Sequence, residues 1–424
     1  MTSTGGSPGA PGQAGSIAPP LFNPFDPEFR INPYPFYERI RAEAPIHQAA
    51  FGGWVFSRYA ECEAILGDHR FSSDGRNSEA YHAFMAQRGP LTPEEQLLEN
   101  ARPFLFRDPP DHTRLRGLVN KAFTPRVVEA LRPRIRQIVD ELIDAVRDAG
   151  SMEVIEDLAY PLPITVICEM LGVPAEDRHL FREWSRELAH SLDPEPVLPA
   201  DVIERRNQAV TAFRSYFTSL LDERRREPRD DLLSALIAAE EQGDVLTEQE
   251  LLSTLTLLLV AGHETTVSLI GNGVLALLRH PEQLELLRND PSLARSAVEE
   301  ILRYDPPVQL DGRTALEDVE IGGVTVRRGQ EAVLLLGSAN RDPDQFPDPD
   351  RLDITRADNR HIAFGYGIHF CIGAPLARLE GQIALSTFVR RLRDLRLLTD
   401  EPEYKENIVL RGLRALPVGF SGSF

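Results

Sequence analysis

Apolar positions recur every three to four residues through most of the chain after Asp111, the spacing of one buried helix face. That spacing predicts helices over 112–122, 125–149, 161–171, 175–190, 201–226, 230–241, 247–280, 281–289 and 291–304, and a further helical run from Ala374 to about Leu392. Before Asp111 the pattern is mixed. A helix is expected around Pro35–Glu43, a strand at Trp54–Phe56 and a helix from Tyr59 to Leu66. Residues 72–105 hold no sustained period and read as a long, partly helical loop, the kind that is usually functional or disordered. In Val319–Val326 the central Gly322-Gly323 pair predicts a hairpin, and Ala332–Leu336 makes another short strand. No repeat divides the chain. The expectation is a mainly α fold with a minor β region: one large domain over 22–424, behind a flexible Gly/Pro/Ser-rich tail at 1–21.

Composition narrows the classes of function. The chain is 42% hydrophobic and 26% charged, ordinary for a globular protein with a large core. With 65 acidic against 46 basic residues its formal charge is −19, a surface that repels nucleic acid and anionic lipid. Cysteine occurs only at Cys62, Cys168 and Cys371, an odd and sparse set that argues for a reducing compartment and against a disulfide framework. Residues 1–20 carry no charged side chain and no apolar run, unlike a signal peptide. The longest nearly apolar run, Leu251–Gly262, is too short to span a bilayer. A cytoplasmic monomer with no nucleic-acid or membrane partner is expected.

Two segments break the helical pattern in chemically suggestive ways. The first lies inside the helix opened by Thr247-Glu-Gln-Glu250, a capping-box signature. That helix extends for about 34 residues, roughly 50 Å, and its middle reads Ala261-Gly-His-Glu-Thr-Thr266. Gly262 costs about 1 kcal/mol in a helix interior. Thr265 stands four residues after Ala261, so its hydroxyl can take that carbonyl and loosen the ladder. Two readings stand: a tolerated glycine with a Ser/Thr bend, or an acid (Glu264) and an alcohol (Thr265) that relay protons into a buried site.

The second segment is Phe364-Gly-Tyr-Gly-Ile-His-Phe-Cys-Ile-Gly373. Its glycines let backbone amides approach Cys371, and the helix that follows turns its N–H groups toward the sulfur; both effects favour thiolate. A lone cysteine is usually an inert buried residue. Framed this way, it suits one axial ligand of a haem iron, whereas zinc or an iron–sulfur cluster would need several ligands.

Phe364, Gly367, His369, Cys371 and Gly373 match Phe-x-x-Gly-x-basic-x-Cys-x-Gly, and through them the chain resembles the cytochrome P450 monooxygenases. Ala261–Thr266 looks like their oxygen-activation motif. Glu300-Ile-Leu-Arg303 matches their Glu-x-x-Arg pair, and Arg351 in Phe346-Pro-Asp-Pro-Asp-Arg351 looks like its third partner. Asp108–Arg116 further resembles soluble bacterial members, including hydroxylases of polyketide and macrolide metabolism. The likeness covers 22–424 in the expected order; Tyr366 departs from it at a variable position.

The resemblance implies a cytochrome P450 fold enclosing haem b. It implies a haem-thiolate monooxygenase that uses O2 and two externally supplied electrons to hydroxylate or epoxidise a mostly apolar small molecule. Cys371 would ligate the iron, and Thr265 and Glu264 would be catalytic. His112, Arg116, Arg313 and His369 would hold the propionates, with Leu105, Ala261, Phe364, Gly365 and Gly373 lining the cofactor. Glu300, Arg303 and Arg351 would form a buried structural network. No G-x-G-x-x-G fingerprint is present, so a ferredoxin and an NAD(P)H-linked ferredoxin reductase would supply electrons. They would dock on the Cys371 side, at a basic patch of Arg114, Lys121, Arg126 and Arg378. Substrate choice would lie with 75–105 (Phe84, Met85, Phe104), the region around 184–200, Val308–Leu310 and Val409–Leu410, or with a polar anchor at Asp311 and Arg411. A haem sensor or electron carrier would not need Glu264-Thr265, and peroxide-driven peroxygenases typically lack that pair.

Overall fold

The computed structural model describes residues 22–49, 52–91, 96, 102–241 and 246–422. The tail at 1–21 and most of 92–101 lie outside the described residues. Helices dominate, at 58% of the chain. They follow the sequence pattern closely: Asp111–Asn120, Pro161–Met170, Ala200–Arg226, Leu232–Glu241, Glu248–Arg279, Pro281–Asn289, Ala294–Tyr304 and Ala374–Arg391. One expected helix is broken. The 125–149 run divides at Leu131 into Pro125–Ala130 and Arg132–Val146. Pro133, just inside the second helix, lacks an N–H and would clash with the carbonyl four residues earlier, so one continuous helix is not available.

The Glu248–Arg279 helix is the axis of the main core. Its capping box forms: Thr247 accepts from the Glu250 amide, and Glu250 accepts from the Thr247 amide at 3.0 Å. It packs against Pro161–Met170, Ala294–Tyr304 and Ala374–Arg391. A Cβ at Gly381 would come within 3.2 Å of Leu269, so a glycine there lets the Ala374–Arg391 helix lie close against the axis. This axis is also the one described helix long and apolar enough to cross a membrane, and 78% of its apolar window is buried inside the protein.

The β region sits to one side. Five strands run in the order Ile46–Gln48, Trp54–Phe56, Glu331–Leu334, Asp311–Ala315, Phe71–Ser72, antiparallel except where Trp54–Phe56 meets Glu331–Leu334. The expected hairpin forms between Val319–Ile321 and Val324–Val326, with φ +58° at Gly322 and +82° at Gly323. Both values are cheap only for glycine. A three-stranded sheet joins Ser151–Glu153, Pro417–Gly419 and Arg396–Leu397.

Candidate active site

The cysteine loop is shaped by its glycines. Gly365 and Gly367 take φ of +72° and +70°. A Cβ at Gly367 would stand 2.7 Å from the Leu66 carbonyl oxygen, so no other residue fits without moving backbone. The Cys371 amide donates to the Phe364 carbonyl at 2.9 Å, closing the turn, and the amides of Gly373 and Ala374 point at the sulfur. Arg378 lies over the Phe364 ring, 4.6 Å from its centre. The Gly373 and Ala374 amides and the Arg116 and Arg378 charges favour the thiolate, as the loop and the helix start led us to expect, while burial pushes the thiol pKa up.

On the helix axis, the Thr265 hydroxyl donates to the Ala261 carbonyl at 2.5 Å and Thr266 to the Gly262 carbonyl at 3.2 Å. The helix nevertheless continues unbroken through them. Ala261 is exposed and Thr265 half-exposed in a stretch whose neighbours His263, Glu264 and Thr266 are buried, so this turn faces a space. A Cβ at Gly262 would meet Ile167 only at 3.7 Å, an ordinary contact, so packing does not require the glycine. Glu264 is buried. Its Oε2 accepts from Lys405 Nζ at 2.6 Å, and His263 lies 3.6 Å from Oε1. Burial, the largest single effect, raises its pKa, but Lys405, His263 and Arg186 together outweigh it and hold the carboxyl below its usual range. Burial drives His263 down to about 4, so that ring is neutral near pH 7. The lysine was not legible in the sequence: it comes from a segment 141 residues away.

The four candidate anion-binding residues come together. The His112 and His369 rings lie 4.2 Å apart, and among the described residues neither has a hydrogen-bond partner on either ring nitrogen. Burial, then Arg313, His112 and Arg116, push His369 down to about 3. Burial is the main cause at His112 as well, with Arg116 adding to it and Asp108 opposing. Arg313 also donates to Asp311 at 2.8 Å, and Arg116 to the Phe370 carbonyl. Orphaned donors beside two arginines are what a pair of carboxylates would satisfy. The residues therefore fit a haem set by its propionates against them and ligated by Cys371. Leu105 is half-buried against the main core beside Phe104, whose ring lies edge-on to His112. Gly365 serves the turn, its amide donating to Ile362.

Other expectations change. Arg351 is not the third member of the buried network: its side chain is exposed, and it meets the network through its carbonyl, which accepts from Arg303 at 3.1 Å. Arg356 takes the place, with Nε 3.2 Å from Glu300, because the turn after Arg351 folds it back over the carboxylate. Arg303 binds Glu300 with two nitrogens at 2.8 and 2.9 Å, and Asn359 and the Asp353 amide complete the shell. Of the basic patch, Arg114 is paired with Glu250 and Arg378 with Glu299, whereas Lys121 and Arg126 are exposed. Arg411 is buried on Asp305 at 2.8 Å and Asp311 is bound by Arg313, so both are committed internally rather than offered as a polar anchor. Three of the expected substrate patches meet: Asp193 accepts from the Val409 amide, and the Gln309 amide donates to the Val409 carbonyl at 2.9 Å.

The family of the chain follows from its likeness to known proteins. A family model described as Cytochrome P450 matches residues 78–413. The polyketide biosynthesis cytochrome P450 PksS of Bacillus subtilis is 42% identical over 411 residues, 95% of this chain and 99% of that protein. The cytochrome P450 monooxygenase PikC of Streptomyces venezuelae is 44% identical over 418 residues, 96% of each. Among solved structures, P450BioI in complex with a hexadec-9Z-enoic acid ligated acyl carrier protein matches with a TM-score of 0.85 at 43% identity, covering 93% of this chain and 99% of that one.

Proposed function

The chain belongs to the cytochrome P450 family, and from that premise we propose that it hydroxylates or epoxidises an acyl, terpenoid or macrolide-like molecule on electrons from a ferredoxin. It is a haem-thiolate monooxygenase and its cofactor is haem b. Bound, the haem supplies oxygen activation at its iron, and the protein positions and insulates. Cys371 would ligate the iron, and His112, Arg116, Arg313 and His369 would neutralise the propionates. The observation that carries this assignment is the pair of buried imidazoles with no hydrogen-bond partner among the described residues, packed beside guanidiniums.

Thr265 carries its hydroxyl at the exposed turn of an otherwise buried helix. With the cofactor in place, Thr265 would hold a water at this turn and Glu264, ion-paired with Lys405, would be the group through which protons reach it. The names of PksS and of the carrier-protein complex support an acyl or polyketide-like substrate, free or tethered. A titration of the ferric absorption spectrum with a long-chain fatty acid, the same acyl group on a carrier protein, and a macrolactone separates these. For the roles, Thr265→Ala should keep haem and substrate binding while product per reduced nicotinamide falls and peroxide rises. Wild-type coupling in that variant would reduce Thr265 to a helix-bending residue.

A further inference from the structure

Residues 403–413 form a strap closed on itself: the Lys405 amide donates to the Gly412 carbonyl at 2.9 Å and the Arg414 amide to the Glu403 carbonyl at 2.7 Å. One end of the strap reaches inward, where Lys405 binds Glu264. The tip is held from elsewhere. Asp193, whose side chain is 2% exposed, follows the Ala189–Leu192 turn and points into the strap. Its Oδ1 accepts from the Ile408 and Val409 amides and its Oδ2 from the Asn407 side chain, all at 3.0 Å. His190 stands 3.8 Å away. A carboxylate so buried, with two backbone amides on one oxygen, is a strong fixed anchor.

The other limb of the strap is tied to the rest of the fold: the Arg411 side chain donates to the Arg30 and Ile31 carbonyls at 2.7 and 3.0 Å, and its amide donates to the Pro307 carbonyl at 2.7 Å. Among the described residues, the hydrogen bonds of the Asn407 side chain and the Ile408 amide go to Asp193 and His190, so the tip is held from that side. The groups that face Glu264 are His263 on its own helix, Tyr160, the distant Arg186 and Lys405. Of the two cations only Lys405 makes contact. Moving the strap withdraws the one direct counter-charge from a buried carboxylate, which then takes up a proton.

We propose that Asp193 is a positioning residue for the oxygen-side acid: by pinning the strap it holds Lys405 on Glu264, so that the wall of the substrate chamber and the charge on that acid move together. The idea rests on the proton-supply role of Glu264 for its catalytic consequence, but not for its structural claim. A substrate that pushes Val409 outward would loosen the same ion pair, so proton supply would respond to what occupies the chamber.

The test reads the carboxyl directly, in resting ferric holoenzyme, by infrared spectroscopy at neutral pH. Wild type should show no protonated-carboxyl band assignable to Glu264. Lys405→Met and Asp193→Ala should each show one, and it should vanish when Glu264→Gln is added. Asp193→Asn, a milder variant that keeps one oxygen for the strap amides, should show the same band more weakly and serves if the alanine variant does not fold. In turnover, Asp193→Ala should lower nicotinamide consumption roughly tenfold, part of the range that acid–base groups contribute. A band in Lys405→Met with none in either Asp193 variant overturns the proposal, as does a band in none of them. Unchanged turnover in Glu264→Gln, with the infrared result as expected, would instead refute the proton-supply role of Glu264 and leave the positioning intact.

Discussion

Removing Arg356 should destabilise the protein and removing Arg351 should not, although the sequence singles out Arg351. Glu300 and Arg303 are both fully buried. The Glu300 carboxylate accepts from two Arg303 nitrogens, from Arg356, from Asn359 and from the Asp353 amide. Arg356→Ala deletes a charge-assisted contact but leaves Glu300 paired, a cost of about 1.5–3 kcal/mol. Glu300→Ala strands a buried guanidinium and should cost about 3–5 kcal/mol, a large fraction of the total of roughly 5–15 kcal/mol typical of a folded protein. Arg351→Ala keeps the carbonyl that Arg303 uses and trims an exposed side chain, so its effect should stay within about 0.5 kcal/mol. Urea unfolding of the holoenzyme, followed by haem absorbance and by far-ultraviolet circular dichroism, gives the midpoints. An Arg351→Ala midpoint as low as that of Arg356→Ala would refute the reasoning.

The same residues carry further expectations. Cys371→His should move the absorption band of the reduced carbon monoxide complex from the thiolate to the imidazole position; an unmoved band would remove Cys371 as ligand. Arg116→Ala should weaken haem retention by about 1.5–3 kcal/mol, close to tenfold or more, measured as transfer to apomyoglobin; unchanged transfer would leave Arg116 without a propionate. Glu380, buried beneath Thr266 with one oxygen unpartnered, has its pKa raised by burial from 4.5 to about 8. Its neutral form is favoured in the fold, so the stability it confers is complete below about pH 4.5 and is lost as pH rises toward 8. Between those limits wild type should lose about 1.4 kcal/mol per pH unit relative to Glu380→Gln, and parallel unfolding curves at pH 6 and pH 8 would contradict this.

Local pattern was enough for most of the helices, for the hairpin at Gly322-Gly323, and for the two segments where chemistry gathers. Each of these is written within a few residues: a 3.6-residue period, two adjacent glycines, a threonine three residues before a glutamate, a cysteine between glycines. The placement of His112, Arg116, Arg313 and His369 was legible only through family resemblance, because a single arginine in a sequence looks like any solvated charge. Tertiary structure alone chose Arg356 over Arg351, since the choice depends on how the turn after Arg351 folds back over Glu300. It alone joined Lys405 to Glu264 and Asp193 to the strap, across separations of 141 and more than 210 residues. It also set the burial at Cys371, which opposes the amides and arginines there. Periodicity records which face of an element avoids water. Ion pairing and desolvation depend on which distant elements arrive at that face, and only the folded chain determines that.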